Sequence, residues 1–255
     1  MKKKILIISR DGKIGSELFE KFKNNKSFIF TSYKDKKYYL NLKNVKTLSN
    51  FNKENIECVI LLAGITDIKK CDKFYSKTFR INVTNSFKIL QYFSKSKKIF
   101  ISSNSVFDGN LKTARFYDKK KPLNNYGKQK SIIEDKIIKN LKNYCIVRST
   151  KIYTNKLPLE DKIINKINKK EYFYAFDDIF LKPIFMSDFI KLLQTLIKKK
   201  YFRNSIFHLN GKYKITSYDF ARQIFLKKNL NLKYLKKASG VNKIHQTNLL
   251  IRKLT

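Results

Sequence analysis

The stretch KKILIISRDGKIGSELFEKFKNN, residues 3–25, decides the fold class. Residues 3–9 form a short apolar run that predicts a buried strand, and residues 13–25 have apolar positions at helical spacing. The turn between them reads Ser9-Arg10-Asp11-Gly12-Lys13-Ile14-Gly15. A strand, a glycine turn and a helix in this order are typical of a site where helix amides and the helix dipole bind a pyrophosphate. We expect Gly12 to let the backbone approach the phosphates and Gly15 to permit close helix packing.

The alternation of apolar runs and helical patterns continues along the chain. It predicts strands at residues 27–32, 58–64, 98–103, 144–150 and 205–211, and helices at residues 71–95, 126–141, 159–170, 186–200 and 216–228. Such an order predicts an α/β fold with a Rossmann-like, doubly wound parallel sheet and right-handed crossovers. We expect residues 1–154 to form the dinucleotide-binding domain. Residues 155–255 are expected to form a smaller substrate-binding part that is interleaved with the first.

Composition restricts the class of protein. The 255 residues carry a formal charge of +38, but the lysines are spread over the whole length together with many Asn, Ile, Phe and Tyr. A specific nucleic-acid site would cluster its basic residues, so none is predicted, although a positive field would attract an anionic substrate. Three cysteines and two histidines support neither a disulfide nor a metal site. The apolar runs are shorter than a membrane span, and we expect a cytoplasmic protein without a membrane partner.

Candidate catalytic residues follow the fourth predicted strand. Ser103 lies at its carboxyl end, where a hydroxyl could donate a hydrogen bond to a substrate carbonyl. Tyr126 and Lys130 lie four residues apart at the start of the next helix, so both side chains project from the same face. In a chain rich in both residue types, the Tyr-Lys spacing is weak evidence by itself.

The motifs gain weight from their order along the chain. After Gly12 and Gly15 come Ala63-Gly64 at the end of strand three, Asn82 in the following helix, then Ser103, Tyr126 and Lys130. This series resembles the extended short-chain dehydrogenase/reductases. SSNSVFDG, residues 102–109, and PLNNYGKQK, residues 122–130, are similar to two motifs of the dTDP-4-dehydrorhamnose reductases. The resemblance covers nearly all of the chain, except the stretch after residue 230.

The resemblance implies an NAD(P)H-dependent reductase of a keto group on a nucleotide-linked sugar, of the kind used for cell-surface polysaccharides. Tyr126 would protonate the substrate oxygen, Lys130 would lower the pKa of the Tyr126 phenol and hold the nicotinamide ribose, and Ser103 would orient the carbonyl. The cofactor-binding residues implied are Gly12, Lys13, Ile14, Gly15, Ala63, Gly64, Asn82, Tyr126 and Lys130. Those implied for the substrate are Ser103, Asn104 and Lys151.

The sequence departs from the reductase pattern on both sides of the site. Ser9 stands where the first glycine belongs, and its Cβ is expected to crowd the turn, since glycine accepts positive φ most freely. Asn104 replaces an aspartate beside the catalytic hydroxyl. Lys151 replaces an aromatic residue that contacts the sugar, and Asn41 replaces an aspartate near the adenosine.

The choice between cofactors depends on the end of the second predicted strand. Ser32, Tyr33 and Lys34 stand there with Asp35 just beyond, and a basic residue at this place favours NADP(H) over NAD(H). The resemblance leaves two alternatives open: an epimerase of the same fold, and a non-catalytic member that binds nucleotide. Val-Phe-Asp-Gly at the end of the Ser103 motif favours the reductase over the epimerase. Relatives of this fold are often dimers, so a homodimer is also an expectation.

Overall fold

The computed structural model describes residues 3–109, 114–154 and 158–239. Its strands are β1 (Lys4–Ile8), β2 (Phe28–Phe30), β3 (Ile56–Leu61), β4 (Lys97–Ser103), β5 (Tyr144–Ser149), β6 (Ile152–Tyr153), β7 (Phe173–Phe176), β8 (Phe180–Leu181), β9 (Ile184–Phe185), β10 (Ser205–Leu209), β11 (Ile215–Thr216) and β12 (Leu235–Ala238). Its α-helices are α1 (Lys13–Phe22), α2 (Ile68–Lys73), α3 (Tyr75–Phe79), α4 (Ser86–Tyr92), α5 (Asn125–Asn140), α6 (Pro158–Asn168), α7 (Met186–Lys198) and α8 (Ser217–Lys227). Residues 240–255, part of the stretch without a counterpart in the resemblance, lie outside the described residues.

The chain forms two compact units, and the first contains residues 1–152 and 186–209. Six parallel strands form its sheet in the order β10-β5-β4-β3-β1-β2. This arrangement confirms the predicted doubly wound parallel sheet. The inner strands β1, β3, β4 and β5 are largely buried because helices cover a parallel sheet on both sides. Residues 186–209 return to the first unit after an excursion, because β10 pairs with β5.

Strand order changes direction between β1 and β3. The chain places β2 on one side of β1 and then crosses over to β3 on the other side. The crevice outside the carboxyl ends of strands at such a point is where ligands of open α/β sheets bind. The glycine turn after β1 and the Ala63-Gly64 pair after β3 both begin at this edge, because Ile8 and Leu61 are register partners.

The helix predicted over residues 71–95 is interrupted. The structure has α2, a break at Phe74 (φ −124°, ψ 54°), then α3, a π-helical segment over Arg80–Asn85, and α4. At the break, the Thr78 hydroxyl lies 3.0 Å from the carbonyl oxygens of both Phe74 and Tyr75. Such π segments are rare inside helices and frequently occur at functional sites. The apolar spacing continued through both interruptions, so the sequence pattern did not reveal them.

Two buried lysines hold the amino end of β4. Lys97 donates from Nζ to the carbonyl oxygens of Ile197 (2.7 Å) and Lys199 (2.6 Å), at the end of α7. Lys98 donates to the carbonyl oxygens of Ser94, Ser96 and Lys142 at 2.8, 2.7 and 3.2 Å. Consecutive residues of a strand point to opposite faces, so the pair satisfies carbonyl groups on both sides of the sheet.

The second unit contains residues 153–185 and 210–255. In its described part, β7 pairs with β12 in parallel and β8 pairs with β11 in antiparallel orientation. Helix α8 begins after Thr216, whose hydroxyl accepts a hydrogen bond from the Asp219 amide. The core packs Phe220, Ala221, Ile224 and Phe225 of α8 against other buried apolar side chains of the unit.

Across the described residues, none of the helices combines the length and the apolar run needed to cross a bilayer.

We expect Lys98→Met to lower the free energy of unfolding by about 2 kcal/mol, because three buried or part-buried carbonyl-oxygen bonds lose their donor. Urea unfolding measures the effect. Lys95→Met is the matched control, since that side chain is 81% exposed and its pair with Glu54 is worth little. Equal stabilities of the two variants would show that Lys98 does not hold the amino end of β4.

Candidate active site and dinucleotide cleft

The glycine turn joins β1 directly to α1. Gly12 precedes the helix in an extended conformation and has no side chain to cap it, so the amides of the first turn face an incoming ligand. Gly15 is required by close packing, because a Cβ there would lie 1.8 Å from the carbonyl oxygen of Ser9. These contacts fit the phosphate-binding turn predicted from the sequence. Lys13 and Ile14 form the first helical residues of this turn.

Ser9 adopts the conformation that the turn requires of a glycine. Its φ is 89°, a region that side chains with a Cβ occupy at a cost of about 1–3 kcal/mol. Thr31 of the neighbouring segment holds it there: the Thr31 hydroxyl accepts from the Ser9 amide at 3.0 Å, and the Thr31 carbonyl accepts from the Arg10 amide at 2.7 Å. The turn therefore keeps its shape without the first glycine, and strain at Ser9 replaces crowding.

A cleft of about 310 Å³ opens at this turn. It is lined by residues that follow β1, β2 and β3, among them Ser9, Asp11, Gly12, Tyr33, Asn41 and Gly64. Among the predicted cofactor residues, Gly12 and Gly64 line it, whereas Ala63 and Asn82 are buried behind it. Leu40 and Lys43 also line the cleft and were missed, because pairing of the chain after β2 brings residues 40–43 to this edge. Asp11 of the predicted turn lines it too, although no role was predicted for this side chain.

Asn82 positions the loop after β3. Its Oδ1 accepts from the Ile65 amide at 2.7 Å, and its Nδ2 donates to the Ile65 carbonyl at 2.9 Å. The same Nδ2 donates to Gln129 Oε1 at 2.8 Å, which connects the π segment to α5. The side chain is 4% exposed. In this structure Asn82 thus acts on the cleft through the loop of residues 64 and 65.

The start of α5 packs tightly on the turn after β4. A Cβ on Gly127 would lie 2.1 Å from the carbonyl oxygen of Ser105, so only glycine allows this approach. Asn124 caps the helix by accepting from the Gly127 amide at 2.8 Å. The contact brings Tyr126 close to Ser103, whose hydroxyl interacts with the phenol. Asn104 and Lys151, the other predicted substrate residues, are exposed near the ends of β4 and β5.

Lys130 lies below Tyr126. Its Nζ is 5.9 Å from the centre of the Tyr126 ring and 4.6 Å from that of Phe100. It donates to the Ile101 carbonyl at 2.8 Å. The structure thus brings Ser103, Tyr126 and Lys130 together at the carboxyl half of β4.

Burial dominates the pKa values of Tyr126 and Lys130. Burial raises the pKa of Tyr126 to about 12, although the Ser103 hydroxyl opposes the rise. Burial also lowers the pKa of Lys130 to about 8, although Glu134 opposes the fall. In this structure the Lys130 ammonium is bonded to the Ile101 carbonyl, and desolvation dominates the pKa of both groups, so the predicted effect of Lys130 on the phenol stays a prediction.

A buried ion pair beneath the site was missed. Glu134 of α5 is fully buried, accepts from Arg148 Nη2 at 2.8 Å and accepts from the Ser102 hydroxyl. Arg148 also donates to the Phe116 carbonyl at 3.1 Å. A sequence signal existed, since Glu134 and Arg148 each interrupt an apolar run, but their pairing depends on the packing of α5 against the sheet.

Comparison with a family model decides the relationship. The model of the RmlD substrate binding domain matches residues 2–247. The chain belongs to the RmlD substrate binding domain family.

Solved structures share the fold of this family member. A dTDP-4-dehydrorhamnose reductase from Clostridium acetobutylicum is 26% identical, with a TM-score of 0.77 over 92% of this chain and 84% of that chain. The enzyme of the same name from Bacillus anthracis, in complex with NADP, is 20% identical, with a TM-score of 0.81 over 94% and 85%. The dTDP-glucose 4,6-dehydratase of Bacillus anthracis, in complex with NAD, is 14% identical, with a TM-score of 0.73 over 93% and 84%. No curated protein matches the sequence significantly.

We expect Ser9→Gly to raise the free energy of unfolding of this family member by about 1 kcal/mol, because relief of the strained φ exceeds the added freedom of the unfolded chain. Chemical denaturation measures the change. Ser9→Ala is the control, since it keeps the Cβ and should not stabilise. Equal stabilisation by both substitutions would contradict strain as the cause.

Lys130 makes stability depend on pH. Its pKa falls from 10.5 to about 8 on folding, so between these values the unfolded chain binds more protons and stability rises with pH. The stability of the wild type relative to Lys130→Met should therefore grow by on the order of 2 kcal/mol from about pH 7 to about pH 10. Denaturation of both proteins across this range measures it, and parallel curves would contradict the shift. Lys98, whose pKa is lowered in the same direction, is present in both proteins and cancels.

Proposed function

We propose that this protein reduces a keto group on a nucleotide-linked sugar, using a reduced nicotinamide dinucleotide. The observation that carries the proposal is the meeting of Ser103, Tyr126 and Lys130 at the carboxyl end of β4, in the unit that also carries the cleft at the glycine turn. Membership in the RmlD substrate binding domain family supports it. Because the chain is 26% identical to a dTDP-4-dehydrorhamnose reductase, dTDP-4-dehydrorhamnose is the first substrate to test.

The residues of the site fit a dinucleotide. The first amides of α1 and the Gly12 backbone would hold the pyrophosphate, and the cleft beside Tyr33 and Asn41 would hold the adenosine half. Lys130 would reach the nicotinamide ribose. When bound, the reduced nicotinamide supplies the hydride.

Tyr126 supplies the proton. With its pKa raised to about 12, the phenol keeps its proton throughout the neutral range, as an acid must before it donates to a substrate oxygen. Ser103, close to the phenol, would donate to the same oxygen and fix the carbonyl between the two hydroxyls.

Lys130 prepares the phenol for the next turnover. Its pKa of about 8 allows it to be charged at neutral pH and to favour the phenolate that remains after proton transfer. This role requires the Lys130 ammonium near the phenol oxygen. The hydrogen bond to the Ile101 carbonyl anchors the ammonium to β4.

The remaining proposals concern the setting of the reaction. Three buried free cysteines, Cys58, Cys71 and Cys145, support the proposal that the protein works in the reducing cytoplasm. The homodimer stays a prediction. A preference for NADP(H), predicted from Lys34, also stays a prediction, and the contacts of Asp11 described below oppose it.

Tyr126→Phe tests the proposed reaction. We expect turnover of dTDP-4-dehydrorhamnose to fall by at least about 100-fold, because the proton donor is gone, while dinucleotide affinity changes by less than about threefold. Reduced-cofactor absorbance reports turnover and reduced-cofactor fluorescence reports binding. Tyr117→Phe is the control, since that tyrosine is 63% exposed.

Three outcomes would overturn the proposal. Full turnover by Tyr126→Phe would remove the assigned acid. Isomerisation of a sugar nucleotide without net consumption of NADH or NADPH would indicate the epimerase instead. Failure of the wild type to bind either dinucleotide would indicate a non-catalytic member.

A further inference from the structure

Asp11 bridges the glycine turn to the end of β2. Its Oδ1 accepts a hydrogen bond from the Ser32 hydroxyl at 2.8 Å, and its Oδ2 accepts from the Tyr33 amide at 3.1 Å. The Ser32 hydroxyl oxygen in turn accepts from the Lys34 amide at 2.9 Å. Asp11 and Tyr33 both line the cleft at the glycine turn. A carboxylate is therefore held by two donors at one edge of the cleft.

This edge is where the two dinucleotides differ. In sheets of this type, the end of the second strand lies beside the adenosine ribose. NADP carries a phosphate on the 2′ oxygen of that ribose, whereas NAD carries a hydroxyl. A hydroxyl group and a backbone amide at the strand end are the donors that a 2′-phosphate needs. Here both already donate to Asp11, and the Asp11 carboxylate would repel the phosphate.

The nearby cations do not reverse this arrangement. Arg10 lies over the Phe19 ring at 3.7 Å, and its Nη1 is 3.6 Å from the Asp35 carboxylate. The Nζ of Lys34 lies 5.5 Å from the centre of the Tyr33 ring, and Lys43 lines the cleft. These side chains moderate the negative charge, but the Ser32 hydroxyl and the Tyr33 amide remain bonded to Asp11.

We propose that Asp11 selects NAD(H) over NADP(H) by occupying the donors of the 2′-phosphate and by accepting a hydrogen bond from a 2′-hydroxyl. The inference rests on the proposed function, because it needs a dinucleotide in the cleft. It replaces the preference for NADP(H) that Lys34 suggested from the sequence.

Titrations of the purified protein with NADH and with NADPH, followed by cofactor fluorescence, test the inference without any substrate. The wild type should bind NADH at least about tenfold more tightly than NADPH. Asp11→Ala, which frees both donors, should shift this ratio by at least about tenfold toward NADPH. Asp11→Asn removes the charge with little change of volume, and it should shift the ratio in the same direction. Thermal unfolding confirms that both variants are folded.

Two control experiments distinguish a direct contact of Asp11 with the cofactor from a general effect of negative charge on the protein. Glu20→Gln removes an exposed carboxylate of α1 that pairs with Lys23 at 2.6 Å, and it should leave the ratio unchanged within about twofold. Competition by 5′-AMP and by adenosine 2′,5′-bisphosphate should show the same discrimination as the whole cofactors, because both probes carry the adenosine ribose.

The outcomes distinguish the two proposals. Tighter binding of NADPH by the wild type, or an unchanged ratio in Asp11→Ala, would overturn the role of Asp11 and leave the reductase intact. An equal shift in Glu20→Gln would also overturn it, because general charge would then explain the ratio. Failure of the wild type to bind either cofactor would overturn the proposed function and the inference together.

Discussion

The buried ion pair of Glu134 and Arg148 holds α5 against the sheet at β4 and β5, and two of these elements, β4 and α5, carry the candidate catalytic residues. It joins α5 to β5, and the Ser102 hydroxyl joins β4 to the same carboxylate. Loss of one partner of such a pair costs about 3–5 kcal/mol, because the other charge stays buried and uncompensated. Ser103 is the next residue of β4, and Lys130 lies one turn before Glu134 on α5. The placement of Ser103 and Lys130 therefore depends on an ion pair that is itself buried.

Burial shifts the pKa values of Tyr126 and Lys130 in opposite directions. It raises the pKa of Tyr126 and lowers that of Lys130, so it favours the neutral form of each. A neutral phenol beside the Ser103 hydroxyl is ready to donate. Two departures from the reductase pattern lie outside this pair of residues. Ser9 adopts the positive φ of the turn at the cost of strain, and Asn104 is exposed after β4.

The sequence predicted much of the fold because strand and helix patterns are local. The strands of the parallel sheet and helices α1, α5, α7 and α8 lie where apolar spacing placed them. The sequence pattern failed over residues 71–95, where a break and a π segment interrupt the helix without changing the apolar spacing. The side chains of Thr78 and Asn82 hydrogen bond to backbone carbonyl oxygens there. Among the site residues, Asn82 positions the loop after β3, a contact that the sequence did not reveal, and its role toward the cofactor stays a prediction.

The sequence by itself determined the order of strands and helices, the glycine turn and the neighbouring Tyr126 and Lys130, because each depends on residues within one or two turns of chain. The tertiary structure alone decided the positive φ of Ser9, the pairing of Glu134 with Arg148 and the reach of Asp11 to Ser32. These features join segments that are distant in sequence, and their energies come from burial and from hydrogen bonds that exist only after the sheet has formed.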